Sequence, residues 1–212
     1  MRVVVRMALV VLCCVLVVPA IAEAKVRPTQ IALVGADSAS IQGQLSSPFK
    51  GCLRERTVTL TDLSTGAVFL TTTTTRDGVF SIALVDIPFG TSAVRVTVAP
   101  KKRVCAQDTA DIAFDQATLT GGAGDGAFRG VLSSSVDACE PGRLISLYEV
   151  SSDEPVFVGY NYTDASGAWV IAQASGNYQA IADFAFLGGG DSYTYCKPVA
   201  SDRWSFEEPP PE

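Results

Sequence analysis

The chain has 212 residues, a formal net charge of −6 at pH 7 and no histidine. Without histidine it cannot form a Ser-His-Asp triad, a Cys-His pair or an imidazole metal site. Catalysis would have to rest on carboxylate, tyrosine, lysine or serine groups alone. We therefore predict a protein that is not an enzyme and that uses no cofactor and no metal. Its acidity also disfavours binding to nucleic acid.

The first 24 residues have the pattern of a secretory signal peptide. Arg2 and Arg6 precede the apolar run Met7–Val18, Pro19 ends that run, and Ala22–Ala24 contains small residues around a cleavage point. The alternative is an uncleaved membrane anchor, but the run is short of the roughly 20 residues that a span needs. We predict a secreted or periplasmic protein with no membrane span after cleavage.

A repeat with a period of about 87–91 residues follows. Ile41–Leu60 aligns without a gap on Phe128–Leu147, and "RDGVFSI" then matches "ASGAWVI". The identical pairs of the first alignment are Gly43/Gly130, Leu45/Leu132, Ser46/Ser133, Ser47/Ser134, Cys52/Cys139, Arg56/Arg143 and Leu60/Leu147. This period is far longer than that of solenoid repeats and indicates duplication of a whole domain. We predict a first domain at 25–117, a second at 118–206, and a disordered acidic, proline-rich tail at 207–212.

Both copies have the pattern of short strands separated by turn signals such as "STG", "RDG" and "ASG". Strands at such intervals without helical periodicity predict an all-β fold of two tandem β-sandwiches. The predicted strands are residues 57–63, 67–75, 79–84 and 92–99 in the first copy, and 143–150, 156–163, 168–172 and 178–184 in the second.

Four cysteines remain after the signal segment, which contains Cys13 and Cys14. In an oxidising compartment an even number indicates two disulfides, and four cysteines allow three pairings. Only Cys52–Cys105 with Cys139–Cys196 repeats the same bond in both copies. We predict this pairing, with one bond inside each domain.

The order of motifs resembles a known family. Each copy has an opening "xGxLSS" strand, a cysteine, an "RTVTL" or "RLISL" strand, a "DGVF" or "SGAW" turn and strand, and a late cysteine. This order is similar to the Ig-like or prealbumin-like sandwich modules of secreted bacterial proteins, close to carboxypeptidase regulatory-like domains. The resemblance implies noncatalytic modules that serve as spacers, stabilisers or binding platforms.

The two copies differ in charge and in aromatic content. Residues 25–117 carry ten Lys and Arg against eight Asp and Glu, whereas residues 118–212 carry four against thirteen, a net charge of −9. All six tyrosines and both tryptophans lie in the second copy. Since Tyr and Trp are enriched at binding surfaces, we predict a ligand-binding site at Tyr193, Tyr195 and Trp204.

A core role for these aromatics is the competing interpretation. Trp169 aligns with Phe80, which predicts a buried ring. Strict alternation along the strand places Tyr160 and Tyr162 on one face with Val156 and Val158, which predicts a packed face.

Three further motifs favour plain structural interpretations. "GAGDGA" (122–127) has dinucleotide-loop spacing but precedes a strand pattern, so we predict a connecting loop. "TTTTT" (71–75) is absent from the second copy and predicts an ordinary half-exposed strand. Asn161 begins an "NYT" glycosylation sequon, which has meaning only in a eukaryotic host.

The leading hypothesis is therefore an exported, noncatalytic protein that acts structurally or as a binding platform. The alternative is a carbohydrate- or peptide-binding protein acting through the acidic, aromatic second copy. In either case the partner is expected to be a protein or glycan at the cell exterior.

Overall fold

A computed structural model describes residues 26–102, 104–124, 126–151, 154–173 and 175–206. The predicted signal peptide and the predicted disordered tail lie outside these residues. Within them the protein is all-β, with three short 3-10 turns at Lys50–Cys52, Leu84–Asp86 and Asp137–Cys139. No helix in the described part of the chain is long and apolar enough to cross a membrane.

The described residues form sixteen strands in four sheets. The strands up to residue 114 are β1 (Gln30–Ala36), β2 (Ser40–Ser46), β3 (Thr57–Asp62), β4 (Val68–Thr73), β5 (Val79–Ala83), β6 (Ala93–Val98) and β7 (Asp108–Phe114). Those that follow are β8 (Ala117–Gly124), β9 (Ala127–Ser134), β10 (Leu144–Glu149), β11 (Val156–Tyr162), β12 (Ala168–Ala172), β13 (Gly176–Ala182), β14 (Ala185–Gly189), β15 (Ser192–Cys196) and β16 (Val199–Phe206).

The strand pairing repeats as the sequence does. The first domain packs the sheet β1-β2-β5 against the sheet β4-β3-β6-β7, and the second domain packs β8-β9-β12 against β11-β10-β13-β16. Each domain surrounds its own cluster of buried apolar side chains. The two copies of the repeat therefore have the same topology, which confirms the predicted all-β tandem fold.

The repeated glycine has a packing cause. A Cβ on Gly43 would lie 2.1 Å from Cζ of Phe80, and one on Gly130 would lie 1.9 Å from the backbone oxygen of Thr120 and 2.8 Å from Cζ2 of Trp169. The two glycines face those aromatic residues in the strand register. Trp169 is buried, as its alignment with Phe80 predicted. The ring thus occupies the space above the glycine in both domains.

The repeated arginine ties each disulfide to the strands around it. Arg56 is buried, and it donates through Nη1 to Cys52 O (2.8 Å) and through Nη2 to Ala99 O (2.6 Å) and Ala106 O (2.7 Å). Nη1 also lies 3.3 Å from Thr29 Oγ1. Desolvation lowers the pKa of this guanidinium, but an arginine remains charged at neutral pH.

The second domain repeats this arrangement and adds a carboxylate. Arg143 donates to the carbonyl oxygens of Cys139, Asp183 and Lys197. Its Nη1 also lies 3.8 Å from Oδ2 of Asp115, a residue with no exposed surface. Asp115 stands where the first copy has Thr29. Burial lowers the pKa of Arg143, and the charge of Asp115 opposes that shift.

Both predicted disulfides are present. Cys52 and Cys105 are joined with a Cα–Cα distance of 5.5 Å, and Cys139 and Cys196 with one of 5.6 Å. The bonds close loops with sequence separations of 53 and 57 residues.

Removing either disulfide should cost about 4 kcal/mol of unfolding free energy on the chain-entropy model. We expect C52A/C105A and C139A/C196A to lose similar amounts, because the two loops are of nearly equal length. Urea unfolding of each double variant against the wild-type chain measures the loss. A variant that unfolds at the wild-type midpoint would contradict a stabilising role for its bond.

The predicted extent of the second domain is wrong for residues 185–196. The hairpin β14–β15 leaves the second domain and extends the larger sheet of the first, giving the order β14-β15-β7-β6-β3-β4. Strand β15 pairs with β7 in parallel, with Tyr193 opposite Ile112 and Thr194 opposite Ala113. The second copy of the repeat therefore supplies two strands that complete the first domain.

Candidate binding surface on the second domain

Tyr193 and Tyr195, two of the predicted ligand-binding residues, are buried in the first domain. Their exposed fractions are 5% and 2%, and both belong to its apolar core. The Tyr193 hydroxyl accepts a hydrogen bond from Leu33 N (3.1 Å), and the Tyr195 hydroxyl donates to Asp37 O (3.2 Å). Burial raises the pKa of Tyr195. Both side chains are therefore core residues that anchor the hairpin, and the ligand-binding role predicted for them stays a prediction.

Trp204, the third predicted residue, packs against the core of the second domain. Its ring stacks on Trp169 with centroids 6.0 Å apart and on Phe128 at 6.2 Å. The indole is half-buried on the inward face of β16, beside Tyr178. Both ring contacts are with core residues, and the ligand-binding role predicted for Trp204 stays a prediction.

The aromatic side chains that do face solvent lie on β11. Phe157, Tyr160 and Tyr162 are 53%, 61% and 56% exposed. Successive ring centroids are 6.5 and 6.1 Å apart, and Phe157 also lies 5.8 Å from the half-buried Tyr148 on β10. We call these four residues the aromatic face. It covers the outer surface of the sheet β11-β10-β13-β16 at the edge formed by β11.

A β-bulge places these side chains outside. Tyr160 lies opposite Ser146, and Gly159 opposite Leu147, but Phe157 lies opposite Tyr148, so Val158 has no partner. The extra residue reverses the alternation of the strand. Val158 packs against the core while Phe157 joins Tyr160 and Tyr162 on the outside. The sequence prediction of a packed Tyr160 and Tyr162 is wrong because strict alternation omits this bulge.

The first domain has the same bulge but a threonine surface. Thr59 lies opposite Thr71 on one side and Thr97 on the other, and Thr97 lies opposite Thr109. By strand register, Thr71 and Thr73 occupy the positions of Tyr160 and Tyr162. The fold therefore forms without aromatic side chains at these positions, so packing does not require the aromatic face.

An open groove of about 780 Å³ adjoins the aromatic face at Tyr162. Arg129, Asp164 and Val170 contribute to its walls. Asn161 spans the gap between the two sheets, since its Nδ2 donates to Val170 O (2.6 Å) and its Oδ1 accepts from Tyr162 N (2.8 Å).

The polar rim around the aromatic face includes groups of both signs. Arg203 lies in the row Phe157–Tyr148–Gln179–Arg203 across the four strands and is exposed. Asp164 lies just after β11, and its carboxylate accepts hydrogen bonds from the Ser166 hydroxyl, Ser166 N and Ala168 N. The bond from the Ser166 hydroxyl, together with the two backbone bonds, lowers the pKa of Asp164. The surface thus combines aromatic area with charged hydrogen-bonding groups.

Among the described residues, one group of potential metal ligands lies close together: Asp115, Cys139 and Cys196. The two cysteines form a disulfide, so their sulfur atoms cannot act as thiolate ligands. The carboxylate of Asp115 instead accepts from Lys197 N (2.6 Å) and Ser134 Oγ (3.2 Å).

The chain has only limited similarity to known proteins. No protein-family model matches the chain, and no curated protein does. One similar solved structure is described as a tetra-tandem repeat in the extending region of a large adhesion protein. It is 18% identical over 83% of this chain and 49% of its own length, with a TM-score of 0.29. No functional conclusion follows from a likeness at that level.

Proposed function

We propose that the protein is an exported, noncatalytic binding protein whose second domain recognises a partner through the aromatic face. The observation that carries the proposal is the contrast at equivalent positions: three exposed aromatic rings on β11 against threonine and valine on β4. Exposed rings that the fold does not need are typical of a recognition surface.

Three features support export and a noncatalytic role. The disulfides fit an oxidising compartment, and the leader pattern fits secretion. The absence of histidine from the sequence removes the common nucleophile-and-base pairs. Each domain has four strands packed on three, which supports the Ig-like or prealbumin-like class as part of this proposal.

The position of the hairpin β14–β15 supports the role of a binding platform. A linker alone would leave two domains free to reorient. Here two buried tyrosines of the hairpin and a strand pairing fix residues 185–196 against the first domain. The first domain then supports the second and holds the aromatic face in a defined orientation.

A polypeptide partner fits the aromatic face best. Tyr, Phe and Arg are enriched in the cores of protein interfaces, and Arg203 lies in the same row as Phe157 and Tyr148. Strand β11 is also the edge strand of its sheet in the described part of the chain. An extended peptide could therefore pair with its free edge. A glycan partner is the alternative, since tyrosine presents both an apolar ring and a hydroxyl group.

The test is binding of the full-length chain to a peptide array and to a glycan array. We compare wild type with Y160A/Y162A and with the matched control T71A/T73A. Removing two hot-spot rings should weaken binding at least tenfold, while the threonine control should bind as wild type does.

Peptide signals that depend on Tyr160 and Tyr162 support the polypeptide proposal. Glycan signals with the same dependence would overturn the polypeptide assignment in favour of the alternative. Binding that is equal in all three proteins, or absent from all three, would contradict a recognition role and favour a purely structural one.

A further inference from the structure

A loop of the first domain exposes apolar side chains that its fold does not require. The loop joins β5 to β6 across residues 84–92, and the corresponding connection between β12 and β13 spans only residues 173–175. Within the longer loop, Phe89 is fully exposed and Val85 is 90% exposed. Leu84 and Ile87 pack against the core of the first domain, whereas Val85 and Phe89 do not. Since the second domain closes with a connection of three residues, Val85 and Phe89 have no evident role in folding.

The loop forms one wall of a pocket of about 290 Å³ at the junction of the two domains. Leu84, Ile87 and Phe89 line it from the loop. The opposite side comes from the end of β7, from the hairpin and from the residues after the second disulfide. Its lining residues there include Phe114, Tyr195 and Lys197.

The floor of the pocket is aromatic and rigid. Phe114 and Tyr195 are buried, with ring centroids 5.9 Å apart, and the Tyr195 hydroxyl is held by Asp37 O. Mostly apolar pockets at domain junctions, with a few fixed polar groups, are typical small-molecule sites. Its volume of about 290 Å³ lies near the lower end of the range of about 300–1,000 Å³ that small-molecule sites occupy.

Among the residues that the structure describes, Lys197 is the one cationic group that lines this pocket. Lys197 Nζ lies 5.4 Å from the centroid of the Phe114 ring, and its backbone N donates to the buried carboxylate of Asp115. The carboxylate of Asp37, the acidic group next to Ser38 at the rim, accepts from Ala39 N (2.8 Å) and Ser40 N (2.6 Å). An anionic ligand would therefore meet the Lys197 ammonium beside an apolar floor.

We propose that this pocket binds a small amphiphilic anion: a short alkyl chain or an aryl ring that carries a carboxylate. The apolar part lies against Ile87, Pro88 and Phe89 of the loop, above the buried rings of Phe114 and Tyr195, and the carboxylate pairs with Lys197. This site is independent of the aromatic face, which lies on the outer sheet of the other domain.

The test uses octanoate and octanol as probes of equal chain length that differ in charge. Each is titrated into the isotope-labelled full-length protein, with binding followed by amide chemical shifts. For wild type we expect saturable octanoate binding, with shifts at Leu84, Phe89 and Lys197, and about tenfold weaker binding of octanol.

Three variants assign the roles of the side chains. K197Q should bring octanoate binding down to that of octanol, and F89A should weaken both probes about fivefold or more. V85A is the matched control, because Val85 is exposed on the same loop but does not line the pocket, and it should bind as wild type does.

Either of two results would overturn the proposal. One is octanoate binding that does not saturate or that shifts amides elsewhere. The other is an octanoate preference that persists in K197Q. Since Phe89 is fully exposed, F89A should retain the wild-type spectrum outside the loop, so lost binding would not reflect unfolding.

Discussion

Replacing Asp115 with asparagine is expected to lower the free energy of unfolding by about 3–5 kcal/mol. Asp115 is completely buried, and it faces Arg143, Lys197 N and Ser134 Oγ. Removing its charge leaves the Arg143 guanidinium buried without its carboxylate. Breaking such a pair costs far more than the pair itself contributes.

Urea unfolding of D115N measures this effect, and T29A is the matched control. Thr29 holds the corresponding position in the first domain and gives Arg56 one hydroxyl at 3.3 Å. Its loss should cost about 1 kcal/mol. If D115N and T29A were equally mild, the structural importance of the Asp115–Arg143 pair would be disproved.

Replacing Tyr195 with alanine is the second large effect that we expect. Truncation of a buried aromatic side chain costs about 3–5 kcal/mol, and Tyr195 packs on Phe114 and Phe184. The destabilised unit should be the first domain, although Tyr195 lies within the second repeat in sequence. Amide hydrogen exchange in Y195A should show lost protection in β1, β6 and β7.

Two variants accompany Y195A. Y195F keeps the ring and loses only the hydrogen bond to Asp37 O, so it should cost about 1 kcal/mol. Y160A removes an exposed tyrosine and should change stability by no more than about 0.5 kcal/mol. If Y195A lost amide protection only in β8–β13, Tyr195 would stabilise the second domain, which would contradict this prediction.

Features that recur in both copies left a signal in the sequence. Both copies have a glycine next to an aromatic ring, an arginine next to the disulfide, and cysteines at equivalent positions. These residues recur because they make the same packing contacts in the same topology. Gly43 and Gly130 are examples, as are Arg56 and Arg143. Comparing one copy with the other was enough to predict the disulfides and the burial of Trp169.

Features that belong to one copy were missed. The connection before β16 spans residues 183–198, whereas that before β7 spans 99–107. This difference, together with "LGGGDS" between two short apolar runs, could have predicted a hairpin at β14–β15. Its pairing with β7 is a contact between distant parts of the chain, and no local pattern reports it. Tyr193 and Tyr195 were therefore assigned to an exposed loop.

The aromatic face was missed because a single β-bulge reverses the alternation of β11. Alternation along Val156–Tyr162 fails at the bulged Val158, and nothing in these residue types marks the bulge. The neighbouring strand decides it, because Phe157 pairs with Tyr148 after the register shifts. The equivalent shift between Leu60 and Thr61 shows that the bulge belongs to the fold.

The most direct test of the two-domain account is a nuclear Overhauser spectrum of the oxidised full-length chain. We predict backbone contacts between Ile112 and Tyr193 and between Ala113 and Thr194, because the hairpin crosses to β7. Cross-peaks from Tyr193 and Thr194 only to residues 118–206 would show that the second domain keeps its hairpin, and would contradict the account.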